Sequence, residues 1–244
     1  MITLNNFTIG YGHRTLLSGV NASIPSAQLT ALIGRNGTGK STLLRAIAGL
    51  NPRYEGHILL GDNDIRSLSA PQLARTLAFV TTARTRIAAL RCRDVVAIGR
   101  APYINWIGTM QAADREIVMR SLEAVGMADY ADRTMDRMSD GECQRVMSAR
   151  ALAQDTPIIL LDEPTSFLDM PNRYSLCRLL SRLAHDEKKT ILFSTHELDI
   201  ALNIADNIAL IEPTRLHLLP SPEMAESRMI SQLFFPDDNG SLPY

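Results

Sequence analysis

Gly34-Arg-Asn-Gly-Thr-Gly39-Lys40-Ser41 gathers three glycines, a lysine and two hydroxyls into eight residues. An apolar run, Leu29 to Ile33, precedes them, and a helical pattern (Leu43, Leu44, Ile47, Leu50) follows. Glycines let a backbone curl so that successive N–H groups converge on an anion, and the helix behind adds its positive N-terminal end. Lys40 is placed to reach the β and γ phosphates, and the Ser41 hydroxyl to bind Mg²⁺. The chain has 22 Arg and only three Lys, and one of the three stands where a compact, unforked charge is wanted. This is the chemistry of a nucleoside-triphosphate site.

Three further clusters sit where a parallel sheet would place functional groups, at strand ends and a helix start. Asp162-Glu163 directly follows the apolar run Ile158–Leu161. Asp162 is suited to hold Mg²⁺ through its water shell and Glu163 to orient and deprotonate an attacking water; the pair could also simply end a strand at a solvated edge. Thr195-His196 follows Ile191–Ser194, and a histidine there can bond a γ-phosphate, or be an ordinary loop histidine. Ser139-Asp140-Gly141-Glu142 reads as a capped helix start, with a hydroxyl, a close backbone approach and a positive helix end. One chain rarely needs two phosphate sites for one nucleotide. A head-to-tail pair of chains would set the glycine turn of one against the helix start of the other.

The elements that must position these groups follow from periodicity. Short strands are predicted at Thr3–Ile9, Ala22–Ile24 and Leu29–Ile33, punctuated by Gly10, Gly12, Gly19 and Pro25. A further strand at His57–Leu60, an amphipathic stretch at Ala70–Thr76 and a strand at Leu77–Val80 complete the first part. Helical patterns follow at Asp94–Ile98 and at Ala112–Val125, the latter stopped by Gly126. The second half alternates: helix Cys143–Ala153, strand Ile158–Leu161, helix Asn172–His185, strand Thr190–Ser194, helix Leu198–Ala205, strand Asn207–Ile211. Alternation with apolar strands argues a parallel sheet covered on both faces. The tail beyond Glu212 is Pro-rich and without period.

Bulk properties narrow the classes. A chain of 244 residues can bury one large core, or a core plus a subdomain. A net charge of −1 lacks the basic footprint of a nucleic-acid binder. Cys92, Cys143 and Cys177 are odd in number and in no ligand spacing, as expected of reduced thiols in a cytosolic compartment. The N-terminal residues carry no signal-peptide pattern, and no apolar stretch approaches the roughly 18 residues of a membrane span. Any membrane part is therefore expected from another chain. Residues 84–100 carry five Arg against one Asp94, readable as a surface for a membrane partner and anionic headgroups, or as a solvated face paired with nearby acids.

Together, over roughly residues 3–212, these motifs resemble the ATP-binding subunit of ABC transporters. Gly34–Ser41 is similar to Walker A, Ile158–Glu163 to Walker B, Met138–Arg145 to the family signature, and Ser166-Phe-Leu-Asp169 to the D-loop. The resemblance implies an α/β P-loop NTPase core with an N-terminal antiparallel β-subdomain and an inserted helical subdomain. The expected division is 1–83 with 138–212 as the core, 84–137 as the helical block and 213–244 as a tail. It implies Glu163 and His196 as catalytic residues. Tyr11, Gly34, Asn36, Gly37, Gly39, Lys40, Ser41, Thr42, Ser139, Gly141 and Asp169 would bind ATP, with Ser41, Asp162 and Thr82 toward Mg²⁺.

Ala97 to Tyr103, with Trp106, is similar to importers of iron–siderophore, haem and cobalamin complexes, unless Tyr103 and Trp106 pack the helical block internally. The resemblance then implies a homodimer on the cytoplasmic face of the inner membrane. It would be held there by integral permease subunits and fed indirectly by a substrate-binding protein. A soluble assembly ATPase of the iron–sulfur type, or a weakly hydrolysing regulatory module, are the other readings. Two departures stand out: Thr82 where the family has a metal-touching glutamine, and Asp140 where the signature has its first glycine.

Overall fold

The computed structural model describes residues 1–82, 89–104 and 109–234, so Arg84, Arg86 and Trp106 lie outside the described residues. The chain divides into two compact units, residues 1–68 with 180–244, and residues 69–179.

In the first unit, β1 (Ile2–Tyr11), β2 (Arg14–Ile24), β4 (Tyr54–Leu60) and β5 (Asn63–Asp64) form an antiparallel sheet in the order β2-β1-β4-β5. Along β1 the buried residues are Ile2 and Leu4, then Phe7 and Ile9, a change of parity that a period-2 strand cannot make without an extra residue. Asn6 supplies it. Its φ is 47°, the register with β2 shifts between Leu4 and Phe7, and its N–H donates to Asn21 Oδ1 at 2.8 Å.

A second set of strands runs β10-β9-β3-β8. β3 (Leu29–Gly34) and β8 (Thr190–Ser194) are buried at every residue, as strands covered on both faces must be, and β9 (Asn207–Glu212) is buried except at its last. β3 is parallel to both neighbours, while β10 (Arg215–Pro220) returns antiparallel on β9. Helix α1 (Lys40–Ile47) follows β3, and α7 (Leu198–Ile204) follows β8. Two short helices, α8 (Ser221–Glu226) and α9 (Met229–Phe234), come after β10. From Arg215 to Phe234 the tail is thus ordered into a hairpin strand and two helices, each too brief to show a period. The helix after the glycine turn stops at Ile47, leaving Leu50 outside it and 64% exposed.

The second unit begins with α2 (Ala70–Thr76), its Ser69 N–H accepted by Gln72 Oε1 at 2.9 Å, and β6 (Leu77–Val80). β6 pairs in parallel with β7 (Ile158–Asp162), Val80 opposite Leu161. Helices α3 (Cys92–Ala97), α4 (Ala112–Ala124) and α5 (Asp140–Ala153) pack on one another around Val95, Val96, Leu122, Val146 and Met147, all buried. Helix α6 (Met170–His185) starts in this unit and ends in the first. α4 stops at Gly126, whose φ of 68° lets Met127 N–H reach back to Leu122 O at 2.8 Å.

The arginine-rich segment is not one surface. Arg91 and Arg93 pair with Asp132 at 2.9 and 2.7 Å on the exterior. Arg100 is 7% exposed, bonds Asp114 Oδ1 at 2.9 Å through Nε, and donates to Ala153 O at 2.9 Å. It is an internal strut, not a headgroup contact: an uncompensated guanidinium would be costly there, and Asp114 supplies the counter-charge. Tyr103 lies under Arg100, 4.1 Å from guanidinium carbon to ring centre, and its hydroxyl reaches Asp155 O at 3.3 Å. Among the described residues no helix is long and apolar enough to cross a membrane.

Candidate nucleotide site

The first unit carries the glycine turn. β3 ends at Gly34, where a Cβ would lie 2.9 Å from both Ile211 O and Thr38 Oγ1, so the chain can leave the sheet here only without a side chain. Gly39 has φ 109° and caps α1 with no side-chain bond; no acid occupies the first turn. The first N–H groups of α1 therefore keep their positive end uncompensated, the condition for receiving an anion. Thr38 Oγ1 donates to Arg35 O at 2.8 Å, and Arg14 reaches Gly37 O at 3.1 Å, bracing the turn from β2. Lys40 is 6% exposed, and its Nζ donates to Gly34 O at 2.8 Å and Arg35 O at 3.3 Å. Ser41 and Thr42 follow within the first turn of the helix, and Asn36 is exposed at the tip of the loop.

His196 belongs to the same edge. Leu32 of β3 pairs with Ser194 of β8, and Thr195 N–H donates to Leu32 O at 3.1 Å. The exposed His196 thus emerges beside the strand that ends in the glycine turn. Tyr11, at the end of β1, is 57% exposed and lines a cleft of about 310 Å³ with Gly10, Gly12, Arg45, Leu50, Asn51 and Arg53.

The second unit carries the acids. Asp162 closes β7 and is 2% exposed; Glu163 follows in a left-handed conformation, φ 47°. A turn holds it: Ser166 N–H donates to Glu163 O at 3.1 Å, and Ser166 Oγ to Glu163 Oε2 at 3.2 Å. Thr82, just past β6, donates its hydroxyl to Asp162 O at 3.0 Å. It does stand beside the acid pair, with its proton committed to a backbone carbonyl.

Also in this unit, Ser139 caps α5 in a reciprocal box: Glu142 N–H to Ser139 Oγ at 3.2 Å, Ser139 N–H to Glu142 Oε2 at 2.7 Å. That Ser139 N–H, acting against partial burial, holds the Glu142 carboxyl below its usual value. At Gly141 a Cβ would lie 2.8 Å from Phe167 O, so the helix start and the 166–169 loop touch through backbone. Ser139, Asp140, Gly141, Glu142, Arg145, Phe167 and Asp169 line one cleft of about 380 Å³. Asp169 Oδ1 accepts from Asn172 N and Nδ2 at 3.1 and 2.6 Å, which makes it the cap of α6.

The structure thus gathers the glycine turn with His196 in one unit. In the other it gathers Asp162, Glu163 and Thr82, and Ser139 and Gly141 with Asp169. Sequence reasoning missed Arg14, and named Ser166 only as part of the D-loop stretch, without its role at Glu163. Ser166 had a signal, a hydroxyl three residues after the acid; nothing in the sequence ties Arg14 to Gly37. Among the described residues no cluster of three or more His, Cys, Asp or Glu could hold a metal by itself. The hard oxygen donors that magnesium takes are present singly, the Ser41 hydroxyl in the first unit and the Asp162 carboxylate in the second.

A family model described as ABC transporter matches residues 17–166. The petrobactin import ATP-binding protein FpuD of Bacillus anthracis is 37% identical over 228 residues, covering 93% of this chain and 84% of that protein. The iron(3+)-hydroxamate import ATP-binding protein FhuC of Bacillus subtilis (strain 168) is 35% identical over 227 residues, covering 93% and 84%. In structure, the dimeric, post-hydrolysis state of the ATP-binding cassette MJ0796 bound to ADP and Pi superposes with a TM-score of 0.79. It is 26% identical and covers 91% of this chain and 99% of that one. Glycine turn, acid-tipped strand and serine-capped helix, in this order on this fold, identify the chain as a member of the ABC transporter family and one of its ATP-hydrolysing cassettes.

Proposed function

We propose that the chain powers an importer of an iron chelate, haem or a cobalamin-type compound, working as a head-to-tail dimer beneath a separate membrane permease. Cargo reaches the permease from a substrate-binding protein, and the ATPase sits on the cytoplasmic face of the inner membrane. Relatives named for petrobactin and iron(3+)-hydroxamate import support the cargo class. The observation that carries the dimer is the cleft at Ser139 and Gly141: a capped helix start opening on space of about 380 Å³, with no glycine turn in its lining. A phosphate bound there comes with its own cradle, from a second copy.

In this reading Gly34, Asn36, Gly37, Gly39 and Thr42 cradle the phosphates with backbone and side-chain donors, and Lys40 neutralises them. Ser41 and Asp162 would hold Mg²⁺, which would supply charge neutralisation of the phosphates. Thr82, its hydroxyl hydrogen given to Asp162 O, would turn an oxygen acceptor toward water at that ion. Glu163, steadied by Ser166, takes a proton from the attacking water, and His196 bonds the γ-phosphate. Tyr11 stacks on the base. Ser139 and Gly141 of the second copy close over the triphosphate, with Asp169 fixing the adjoining helix. Residues 84–137 pass the closure to the permease.

The test is co-purification. The tagged chain, drawn from detergent-solubilised membranes, is expected to bring down an integral membrane protein that stimulates its phosphate release. Recovery with soluble partners alone overturns the importer reading.

A further inference from the structure

The phosphate turn bends at glycines of positive φ, 76° at Gly37 and 109° at Gly39. Glycine takes either sign of φ about as readily, so the peptide joining Gly37 to Thr38 can rotate unless something holds it. Two hydrogen bonds do so from opposite sides, because the C=O and N–H of a trans peptide point apart. On the inner side, Thr38 N–H donates to Arg35 O at 3.3 Å. On the outer side, Arg14 Nη2 donates to Gly37 O at 3.1 Å. Arg14 works from a fixed base. Its strand, β2, is tied to the residue before β10 by Thr214 N–H to Leu16 O at 3.2 Å and Ser18 N–H to Thr214 O at 3.0 Å.

The inner bond is the expendable one. Arg35 O already receives Thr38 Oγ1 at 2.8 Å and Lys40 Nζ at 3.3 Å, two donors for its two lone pairs, so the long Thr38 N–H contact is surplus. An arriving phosphate oxygen can take that N–H without leaving the carbonyl bare. We propose that Arg14 is a positioning residue for triphosphate binding, acting through Gly37 O without touching the nucleotide. Once the inner bond is exchanged for phosphate, the guanidinium keeps Gly37 O turned outward, and Thr38 N–H therefore stays turned inward beside Lys40. This rests on the reading of Gly34–Ser41 as the phosphate cradle.

The experiment measures binding of Mg-ATP and of Mg-tripolyphosphate, which has neither base nor sugar, to the wild type, Arg14→Met and Lys40→Ala. Arg14→Met is expected to weaken both ligands by one common factor of about 3- to 10-fold, since the fault lies in the turn that both occupy. KM for ATP should rise by that factor while kcat at saturation changes less than about twofold. The melting temperature should stay within about 2 °C, because the side chain is exposed. Loss of Mg-ATP affinity alone would place Arg14 at the nucleoside and overturn the proposal, as would a lowered melting temperature with KM unchanged. Wild-type affinity for both ligands in Arg14→Met, while Lys40→Ala weakens both, removes Arg14 and leaves the cradle standing. If Lys40→Ala also binds both as the wild type does, the cradle reading falls and takes the proposal with it.

Discussion

Gly39→Ala puts the shape of the phosphate turn to a numerical test. The residue has φ 109°, beyond the pocket of left-handed space that L-residues tolerate at about 1–2 kcal/mol, so the backbone strain is about 2–3 kcal/mol. The added methyl would also meet Leu16 Cβ at 3.2 Å and Cδ1 at 3.3 Å, tight contacts with a buried side chain that must shift by tenths of an ångström. A total of about 3 kcal/mol can appear in two places. If the turn keeps its form, folding bears the strain, and the melting temperature falls by about 6–12 °C at 2–4 °C per kcal/mol. If the turn relaxes, the N–H groups lose convergence, and ATP affinity falls by up to about 150-fold at a factor of ten per 1.4 kcal/mol. Isothermal titration with ATP, beside a thermal melt of the same sample, reads both. Wild-type affinity together with a wild-type melting temperature would refute the claim that this turn requires glycine.

Four further outcomes follow from the geometry. Glu163→Gln is expected to lower steady-state phosphate release by about 10²–10⁴-fold while ATP binding survives, and unchanged turnover rejects Glu163 as the base. Lys40→Ala should weaken Mg-ATP binding itself in an equilibrium titration, since the amine stands at the head of α1; wild-type affinity would remove Lys40 from the cradle. Asp114→Ala leaves the buried Arg100 without its counter-charge and should cost about 3–5 kcal/mol in urea unfolding, with Arg100→Met/Asp114→Leu recovering most of it. Glu142→Gln tests the lowered carboxyl pKa. The charge contributes about 0.3–1 kcal/mol at the α5 start above the unfolded value near pH 4.3, and that contribution is lost as pH falls through the lower folded value. The variant should therefore trail the wild type at neutral pH and meet it in acid; a gap that persists at pH 2 excludes the charge as its origin.

Sequence gave up most where a local rule and a tertiary need coincide. Ala70–Thr76, Leu77–Val80 and Thr190–Ser194 form with their expected bounds, because a serine cap, an apolar run and flanking turns all agree. The Ser139 helix start was legible for the same reason, its cap partner lying three residues on. β2 was harder. It runs from Arg14, whereas only Ala22–Ile24 was expected, since Gly19, with φ 61°, interrupts the alternation and reads as a breaker. β10 escaped because a hairpin partner, β9, makes it a strand, and pairing carries no period of its own. Arg100 was misplaced for a related reason. A charge count over 84–100 sees only its neighbours, while its partner Asp114 lies 14 residues away. Of the candidate site, residue types were readable and one support was not: Ser166 lies three residues from Glu163, whereas Arg14 meets Gly37 from 23 residues away, a distance no local spacing encodes.

The bond from Lys40 Nζ to Gly34 O means the loop carries its own internal peg. The amine is thereby anchored to the end of the very strand that leads into the turn, so its place is fixed by the fold and little of a lysine's usual rotamer freedom remains.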